Sequence, residues 1–324
     1  MQYKNDITNV DSLGIISKAE IFDFEGTPLE KILVLFYSFC RENLNINTDK
    51  KNIPNAYLLF TNSYEINAMA SVKDDNGIIL FNIGLLQYCI NNFKNNEHLN
   101  DLFSSLLPEI NSKLDIPINE LAFQVITQFT YYHELAHLLQ FSNKVNEIEL
   151  QERASEQDDF NMSRHKLEIN ADTYSIVCIS THLIQYMNKR NIKDSKEIVE
   201  LFSFLGTCLL CYILSFSNNK ELYFNKYSHP HPLLRLFNVI LNMSFHAHKF
   251  YNTDEIDPKV IYQKIFSLYP EMESLGIFHT EFSLILEHSK DQMNEINEYL
   301  WALMQFDLKE YNNAMEIWDK NSKS

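Results

Sequence analysis

The sequence is poor in basic residues. It has 27 Lys and Arg against 43 Asp and Glu, which gives a formal net charge of -16 at pH 7. Proteins that bind nucleic acid or anionic lipid without specificity present a cationic face. The composition therefore argues against a nucleic-acid partner. Hydrophobic residues make up 45% of the 324 positions, which is ample for a folded core.

Cysteine is scarce, and its number is odd. The first residues, MQYKNDITNVDS, also lack a charged region followed by an apolar core. Both observations predict a reducing, cytoplasmic location. Cys208 and Cys211 have the spacing of half a zinc site, but the sequence has no second pair and the neighbours are apolar. We expect buried thiols at all five positions, Cys40, Cys89, Cys178, Cys208 and Cys211.

The sequence has no apolar run that clearly reaches the length of a membrane span. The longest candidate, Leu201 to Phe216, has 16 residues and includes several small polar side chains. A spanning helix needs about 17 to 25 residues. The length favours a buried core helix over a membrane helix, so membrane association is not expected, although the run leaves it open.

The order of apolar patterns predicts an α+β, mostly helical fold. An apolar run from Leu29 to Cys40 is helical in character. After Pro54 three short β-prone runs, NAYLLF, SYEINAMASV and GIILFN, predict a small sheet, with turn residues Asp74, Asp75, Asn76 and Gly77 forming a hairpin. Helical spacing then resumes. We predict three regions, an N-terminal helical extension at 1–53, a central domain at 54–250 and a C-terminal helical region at 251–324.

A polar stretch from Ser142 to Lys166 interrupts the helical pattern. Acidic residues dominate it, and a further helix is expected from about Lys166 to Met187. Such a stretch is typical of a solvated loop or surface helix, and a mobile flap near a functional site is the alternative.

The run FTYYHELAHLLQF contains the first candidate site. His133 and His137 are four residues apart, so on a helix both imidazoles reach one side and can bind one metal ion. Glu134 is adjacent to the first ligand, where it can reach a metal-bound water. This is the His-Glu-x-x-His arrangement of zinc peptidases. Two core histidines bonded to backbone carbonyls are the alternative, but burying three polar groups without a metal would be costly.

The run KLEINADTYS supplies a third ligand. Catalytic zinc usually has three protein ligands and a water, and Glu168 is the candidate. Asp172 follows one turn later on the same helical face and can accept the free ring N–H of a ligand histidine. Considered alone, two such acids would more often face solvent.

A third run, HPHPLLR, offers groups that can stabilise a developing oxyanion. The candidates are His229, His231 and Arg235. On spacing alone, a helix start bracketed by prolines explains these residues equally well.

Together these motifs resemble the gluzincin metallopeptidases, most closely the HtpX and CAAX prenyl protease family. Its motifs occur here in the same order as Asn67-Ala68, Gly84-Leu85-Leu86, His133 to His137, Glu168 to Asp172, and His229-Pro230 through Arg235. The resemblance covers roughly residues 57–241. The family's membrane helices have no clear counterpart, and Lit-like phage-exclusion proteases are similar soluble relatives in the order of their motifs.

The resemblance implies a zincin-like domain with a small mixed sheet beside the metal-binding helix and extra helices at both ends. It implies one Zn²⁺ per chain bound by His133, His137 and Glu168, with Glu134 as catalytic base. By the same comparison Asp172 orients a ligand histidine, His133, and His229 and Arg235 assist catalysis. The implied partner is a protein or peptide substrate. A regulatory or interaction protein with a closed or inactive zinc site is the competing hypothesis.

Overall fold

The structure is a computed structural model that describes residues 2–51, 53, 55–73, 76–142, 160–216, 221–274, 276, 287 and 289–322. Most of these residues are helical, and three strands form one mixed sheet, which confirms the predicted α+β, mostly helical fold class. The predicted turn at Asp74 and Asp75 lies outside the described residues. So does most of the polar stretch from Ser142 to Lys166, from residue 143 to residue 159.

The helices, in chain order, are α1 (Gln2–Ser12), α2 (Glu30–Lys51), α3 (Ile83–Cys89), α4 (Glu97–Leu106), α5 (Pro108–Asn111), α6 (Ile118–Phe141), α7 (Met162–Lys189), α8 (Ser195–Leu214), α9 (Pro232–Tyr251), α10 (Pro258–Ser274), α11 (Met293–Met304) and α12 (Ala314–Ser322). The strands are β1 (Ala56–Thr61), β2 (Ala68–Lys73) and β3 (Asn76–Asn82).

Contacts within the chain separate two compact units. The first contains the described residues of Met1–Tyr88, Thr130–Ser155 and Asp307–Ser324, and the second contains those of Cys89–Phe129 and Glu156–Phe306. The division into 1–53, 54–250 and 251–324 that the sequence suggests stays a prediction.

The sheet belongs to the first unit and has the strand order β1-β3-β2. β3 runs parallel to β1 and antiparallel to β2, so the last two strands pair as a hairpin would. Asn76 and Gly77, expected in the turn, belong to β3, because Asn76 pairs with Lys73 and Gly77 with Val72 and Ala56. Every residue of β3 is buried, which is typical of a central strand.

Gly77 brings the sheet close to α6, the helix that carries the His-Glu-x-x-His motif. A Cβ placed on Gly77 would lie 3.1 Å from Cδ1 of Leu138. The side chain of Leu138 thus packs directly on the backbone of the central strand. This contact fixes the end of α6 on a sheet whose own register is set by two neighbouring strands.

Gly84 allows the segment after β1 to pass over the start of α3. A Cβ at this position would lie 2.1 Å from the carbonyl oxygen of Tyr64 and 2.8 Å from that of Glu65. The backbone N–H of Gly84 donates to the carbonyl of Ser63 at 3.0 Å, which holds the segment against the helix. The obstacle is backbone, so it cannot move aside as a flexible side chain can.

We therefore expect Gly84→Ala to lower the free energy of unfolding by about 1–3 kcal/mol through overpacking. Gly77→Ala is the matched control, because the atoms nearest its new methyl group belong to the side chains of Leu138 and Ala56 and not to the backbone. Urea unfolding of both variants measures the difference. Equal stability of Gly84→Ala and the unchanged protein would contradict the close approach.

The second unit is built mainly from α7 to α11. α7 packs against α9, α8 packs against both α9 and α10, and α11 packs against α7. α7 begins at Met162, before the expected start near Lys166, because the side chain of Asn161 accepts a hydrogen bond from the N–H of Arg164 and caps the helix. The helix therefore has about one turn more than expected before the acidic pair Glu168 and Asp172.

Helix α8 contains most of the apolar run from Leu201 to Phe216, the candidate membrane span of the sequence. It is long and apolar enough to cross a membrane by length and composition, and 89% of its most apolar window is buried within the protein. Such burial is typical of a core helix, while the expected absence of membrane association stays a prediction. All five cysteines are free and buried, as expected. Burial raises the pKa of the thiols of Cys40, Cys89, Cys208 and Cys211.

Candidate metal centre

The two histidines of α6 converge on one point. His133 and His137 are buried, with 5% and 2% of their surface exposed, and their Nε2 atoms lie 3.1 Å apart. The helical repeat accounts for this, because residues four apart project from the same side. Glu134, between them in sequence, is only 3% exposed. The helix therefore holds three polar side chains in a dry environment.

Glu168 of α7 completes the group. One ligand atom each from His133, His137 and Glu168 all lie within 4.8 Å of one another, and all three residues are buried. Three ligands at about 2.0–2.2 Å from a tetrahedral metal would be separated by roughly 3–4 Å, so small shifts would bring these atoms into coordination. Imidazole and carboxylate donors suit a divalent transition metal. This buried group could hold a metal ion.

Gln140 sets the protonation of one ligand. Its Oε1 lies 2.8 Å from Nδ1 of His137. An amide oxygen only accepts hydrogen bonds, so Nδ1 carries the hydrogen and Nε2 keeps its lone pair for a metal. Sequence reasoning missed Gln140, although its position three residues after His137 places it on the same side of α6.

We expect Gln140→Leu to weaken the affinity for zinc, used as the probe metal, by about 10- to 100-fold, because His137 loses the group that orients it. Gln140→Glu keeps an acceptor and should retain the affinity. Gln128→Leu, on the same helix but away from His137, serves as the control. Chelator competition with the metal-free protein measures each affinity, and wild-type affinity in Gln140→Leu would contradict the assignment.

A segment near the end of the chain fixes the end of α6. The backbone N–H of Asn312 donates to the carbonyl of Gln140 at 3.0 Å, and its side-chain nitrogen donates to the carbonyl of Leu139 at 3.2 Å. The ring of Tyr311 packs edge-on against Phe141 at 5.3 Å. These contacts satisfy carbonyls that every helix leaves open at its C-terminus. Sequence reasoning gave no sign of them, because Asn312 lies far along the chain.

Arg235 joins the two acids of α7. Its Nε and Nη2 donate to Oδ2 and Oδ1 of Asp172, each at 2.8 Å, and its Nη1 lies 3.5 Å from Oε2 of Glu168. Asp172 is fully buried. A bidentate guanidinium pair of this kind is strong and strongly directional. Arg235 therefore fixes the carboxylate of Asp172 and reaches that of Glu168.

The two histidines of the HPHPLLR run occupy different places. His229 Nε2 lies 3.6 Å from Oε1 of Glu168, and its side chain is 22% exposed. His231 is fully buried, and its Nδ1 accepts a hydrogen bond from the N–H of Leu233 at 3.0 Å, which caps α9. Of the two, His229 is therefore the one placed beside the carboxylate of Glu168.

The ion pair between Arg235 and Asp172 gives a stability prediction. Arg235→Met should lower the free energy of unfolding by about 3–5 kcal/mol, because it leaves the Asp172 carboxylate buried without its partner. Arg235→Met combined with Asp172→Leu should recover part of that loss. Arg190→Met is the control, because its pair with Asp115 lies at the surface, where water screens it and the loss should be much smaller. Urea unfolding measures the free energy of unfolding of each variant. Equal losses in Arg235→Met and Arg190→Met would contradict this account.

A comparison with protein families identifies the chain. The family described as Peptidase U49 matches residues 83–253, more than half of the sequence. The chain belongs to the peptidase U49 family. The matched region runs from the start of α3 to just past the end of α9, and it contains His133, Glu134, His137, Glu168, Asp172, His229 and Arg235. No curated protein and no solved structure matches the chain. Membership of U49 supports the predicted peptidase activity.

Proposed function

We propose that this U49 peptidase is a zinc-dependent endopeptidase of the gluzincin type that cleaves an intracellular protein in the cytoplasm. The observation that carries the proposal is the buried group of His133, His137 and Glu168, whose ligand atoms lie within 4.8 Å of one another. Its donors are those of a catalytic zinc site with two histidines and one glutamate. One zinc ion per chain would fit this group.

His133 and His137, through Nε2, and the Glu168 carboxylate would hold the zinc. When bound, zinc lowers the pKa of a coordinated water to about 7 and polarises the scissile carbonyl. Glu134 would take the proton from the attacking water and then donate it to the leaving amine nitrogen. Its burial on a rigid helix supports this role, because a carboxylate in a dry site interacts strongly with a nearby proton donor.

His229 is suited to contact the substrate. The hydroxyl of Ser228 lies 3.0 Å from Nδ1 of His229, so it can donate there and leave a hydrogen on Nε2. That N–H would then stabilise the oxyanion that develops during amide hydrolysis. Arg235 already bonds Asp172 and reaches Glu168, which supports a role in holding these carboxylates rather than in contacting the substrate.

Strand β2 offers a place for an extended substrate. The order β1-β3-β2 leaves it at an edge of the sheet. An extended peptide can add to such an edge through main-chain hydrogen bonds. Tyr64 and Ile66, just before this strand, are exposed at 77% and 43%, so they could contact apolar substrate side chains.

One observation favours the competing hypothesis of a closed zinc site. At 3.6 Å from Glu168, His229 is close enough to become a fourth ligand after a small movement. A closed four-ligand site would suit a regulatory or interaction protein. Removal of His229 separates the two hypotheses: cleavage should fall if it stabilises the oxyanion, and persist or rise if it blocks the water.

The proposed function is tested by Glu134→Gln. We expect zinc content to stay at one ion per chain while cleavage falls by about 10²- to 10⁴-fold, because the variant keeps the ligands and loses the proton acceptor. Glu120→Gln, in the first turn of the same helix, is the matched control. The measurement compares new protein N-termini in cells expressing each form, with metal content determined on the purified proteins. New N-termini that persist unchanged in Glu134→Gln would overturn the proposal.

A further inference from the structure

The connection that carries His229 has no regular backbone structure. Its described residues before α9, 221–231, form neither helix nor strand. We call residues 221–231 the His229 segment. Without a helical or strand ladder, its position depends on bonds from neighbouring side chains. Those bonds determine where the imidazole of His229 lies.

Two buried side chains hold carbonyl groups of the His229 segment. His165 of α7 is fully buried, and its Nε2 lies 2.8 Å from the carbonyl oxygen of Tyr227. A carbonyl only accepts, so Nε2 of His165 carries a hydrogen. The hydroxyl of Tyr299, on α11, lies 2.9 Å from Nδ1 of His165 and 2.8 Å from the carbonyl oxygen of Phe224. His165 and Tyr299 are thus bonded to each other and to two points of the segment.

The hydrogen bonds of His165 and those of Tyr299 depend on each other. Burial lowers the pKa of His165 and raises that of Tyr299 to about 12. A neutral imidazole that donates from Nε2 must accept at Nδ1, and the hydroxyl of Tyr299 is the donor in reach. That hydroxyl has a single hydrogen, which Nδ1 of His165 and the carbonyl oxygen of Phe224 therefore share. Removing it therefore weakens the bond to His165 and the bond to the segment together.

One face of α7 contacts this part of the chain at three points. His165, Glu168 and Asp172 follow one another at intervals of three and four residues, which places them along one side of the helix. They meet, in turn, the Tyr227 carbonyl, the imidazole of His229 and the guanidinium of Arg235. His229 follows the first anchored point by only two residues, a span of at most about 7 Å. The position of His229 is therefore restricted by the bonded Tyr227 before it in the chain and by the bonded Arg235 after it.

We infer that His165 and Tyr299 are positioning residues for the peptidase: by binding the carbonyls of Tyr227 and Phe224 they keep the imidazole of His229 beside Glu168. The catalytic part of this inference rests on the proposed function, in which His229 assists cleavage. A catalytic group displaced by about 1 Å can lose as much as 100-fold in rate. The pair thus controls the reaction through the His229 segment.

The decisive variant is Tyr299→Phe, which removes the hydroxyl and keeps the ring that packs against Phe224 at 5.3 Å. Hydrogen exchange of the metal-free protein should become about three- to tenfold faster in the His229 segment. On a peptide spanning the cleavage site, kcat should fall about tenfold, while KM and zinc content stay nearly constant.

Tyr186→Phe is the matched control. Tyr186 lies on α7, and its hydroxyl donates to Asp115 at 2.8 Å, so the variant loses a comparable bond away from the His229 segment. It should leave exchange in the segment and kcat unchanged. A merely structural role for Tyr299 predicts that the two variants behave alike.

Two variants of His165 test its bonds to Tyr227 and Tyr299 separately. His165→Gln places an amide near the position of Nε2 and should keep the bond to Tyr227, whereas His165→Asn reaches only toward Tyr299. Because Tyr227 is closer to His229 in the chain, kcat should be retained better in His165→Gln than in His165→Asn.

The outcomes separate this inference from the proposed function. Equal exchange and equal kcat in Tyr299→Phe and Tyr186→Phe would overturn the inference. Exchange does not require cleavage, so faster exchange limited to Tyr299→Phe supports the anchoring even if the wild type cleaves no protein. That absence of cleavage would overturn the proposed function and, with it, the catalytic role of the pair.

Discussion

The burial of ionisable side chains on α6 is the constraint on which the rest of the structure depends. The helix is apolar on nearly all sides, yet it holds His133, Glu134 and His137 away from water. Each such group costs free energy unless it is bonded, roughly 1–3 kcal/mol for a neutral group and more for a charge. The side chain of Gln140 offsets this cost by a hydrogen bond to one ring nitrogen of His137. A metal ion would offset it by binding the other ring nitrogen.

A similar constraint operates on α7. Glu168 and Asp172 place two buried carboxylates one helical turn apart, where their charges repel. The guanidinium of Arg235 reduces this repulsion, because two of its nitrogens bind Asp172 and the third faces Glu168. At formal charges the three groups sum to one negative charge. A cation bound at Glu168 would find a net negative charge there, which is consistent with a group that could hold a metal ion.

The sequence reveals those parts of the candidate site that helical spacing places together. His133 and His137, or Glu168 and Asp172, are four residues apart, and a helix turns that spacing into one face. The partners of these residues follow from tertiary packing, which has no periodic signal. Nothing in the sequence near Asn312 indicates that it caps α6, and nothing near Tyr299 indicates that it bonds His165. The pairing of Arg235 with Asp172 is hidden for the same reason.

The helix boundaries, too, are only partly predictable from the sequence. The apolar pattern alone suggested a start of α7 near Lys166, but the cap at Asn161 extends the helix to Met162. That extra turn matters because it includes His165, the residue that binds the Tyr227 carbonyl. The cap at Asn161 thus lies within one turn of the residue through which α7 binds the His229 segment.

The length of α7 explains how these polar contacts can be precise. Its 28 residues span about 42 Å. The polar side chains lie in its first half, between His165 and Asp172, and the second half buries apolar residues, namely Ile176, Val177, Ile179, Leu183, Ile184 and Met187. Because a helix is stiff over this distance, the packing of the second half against the other helices of its unit fixes the direction of the first. The carboxylate of Glu168 is thus held in place by a hydrophobic core several turns away.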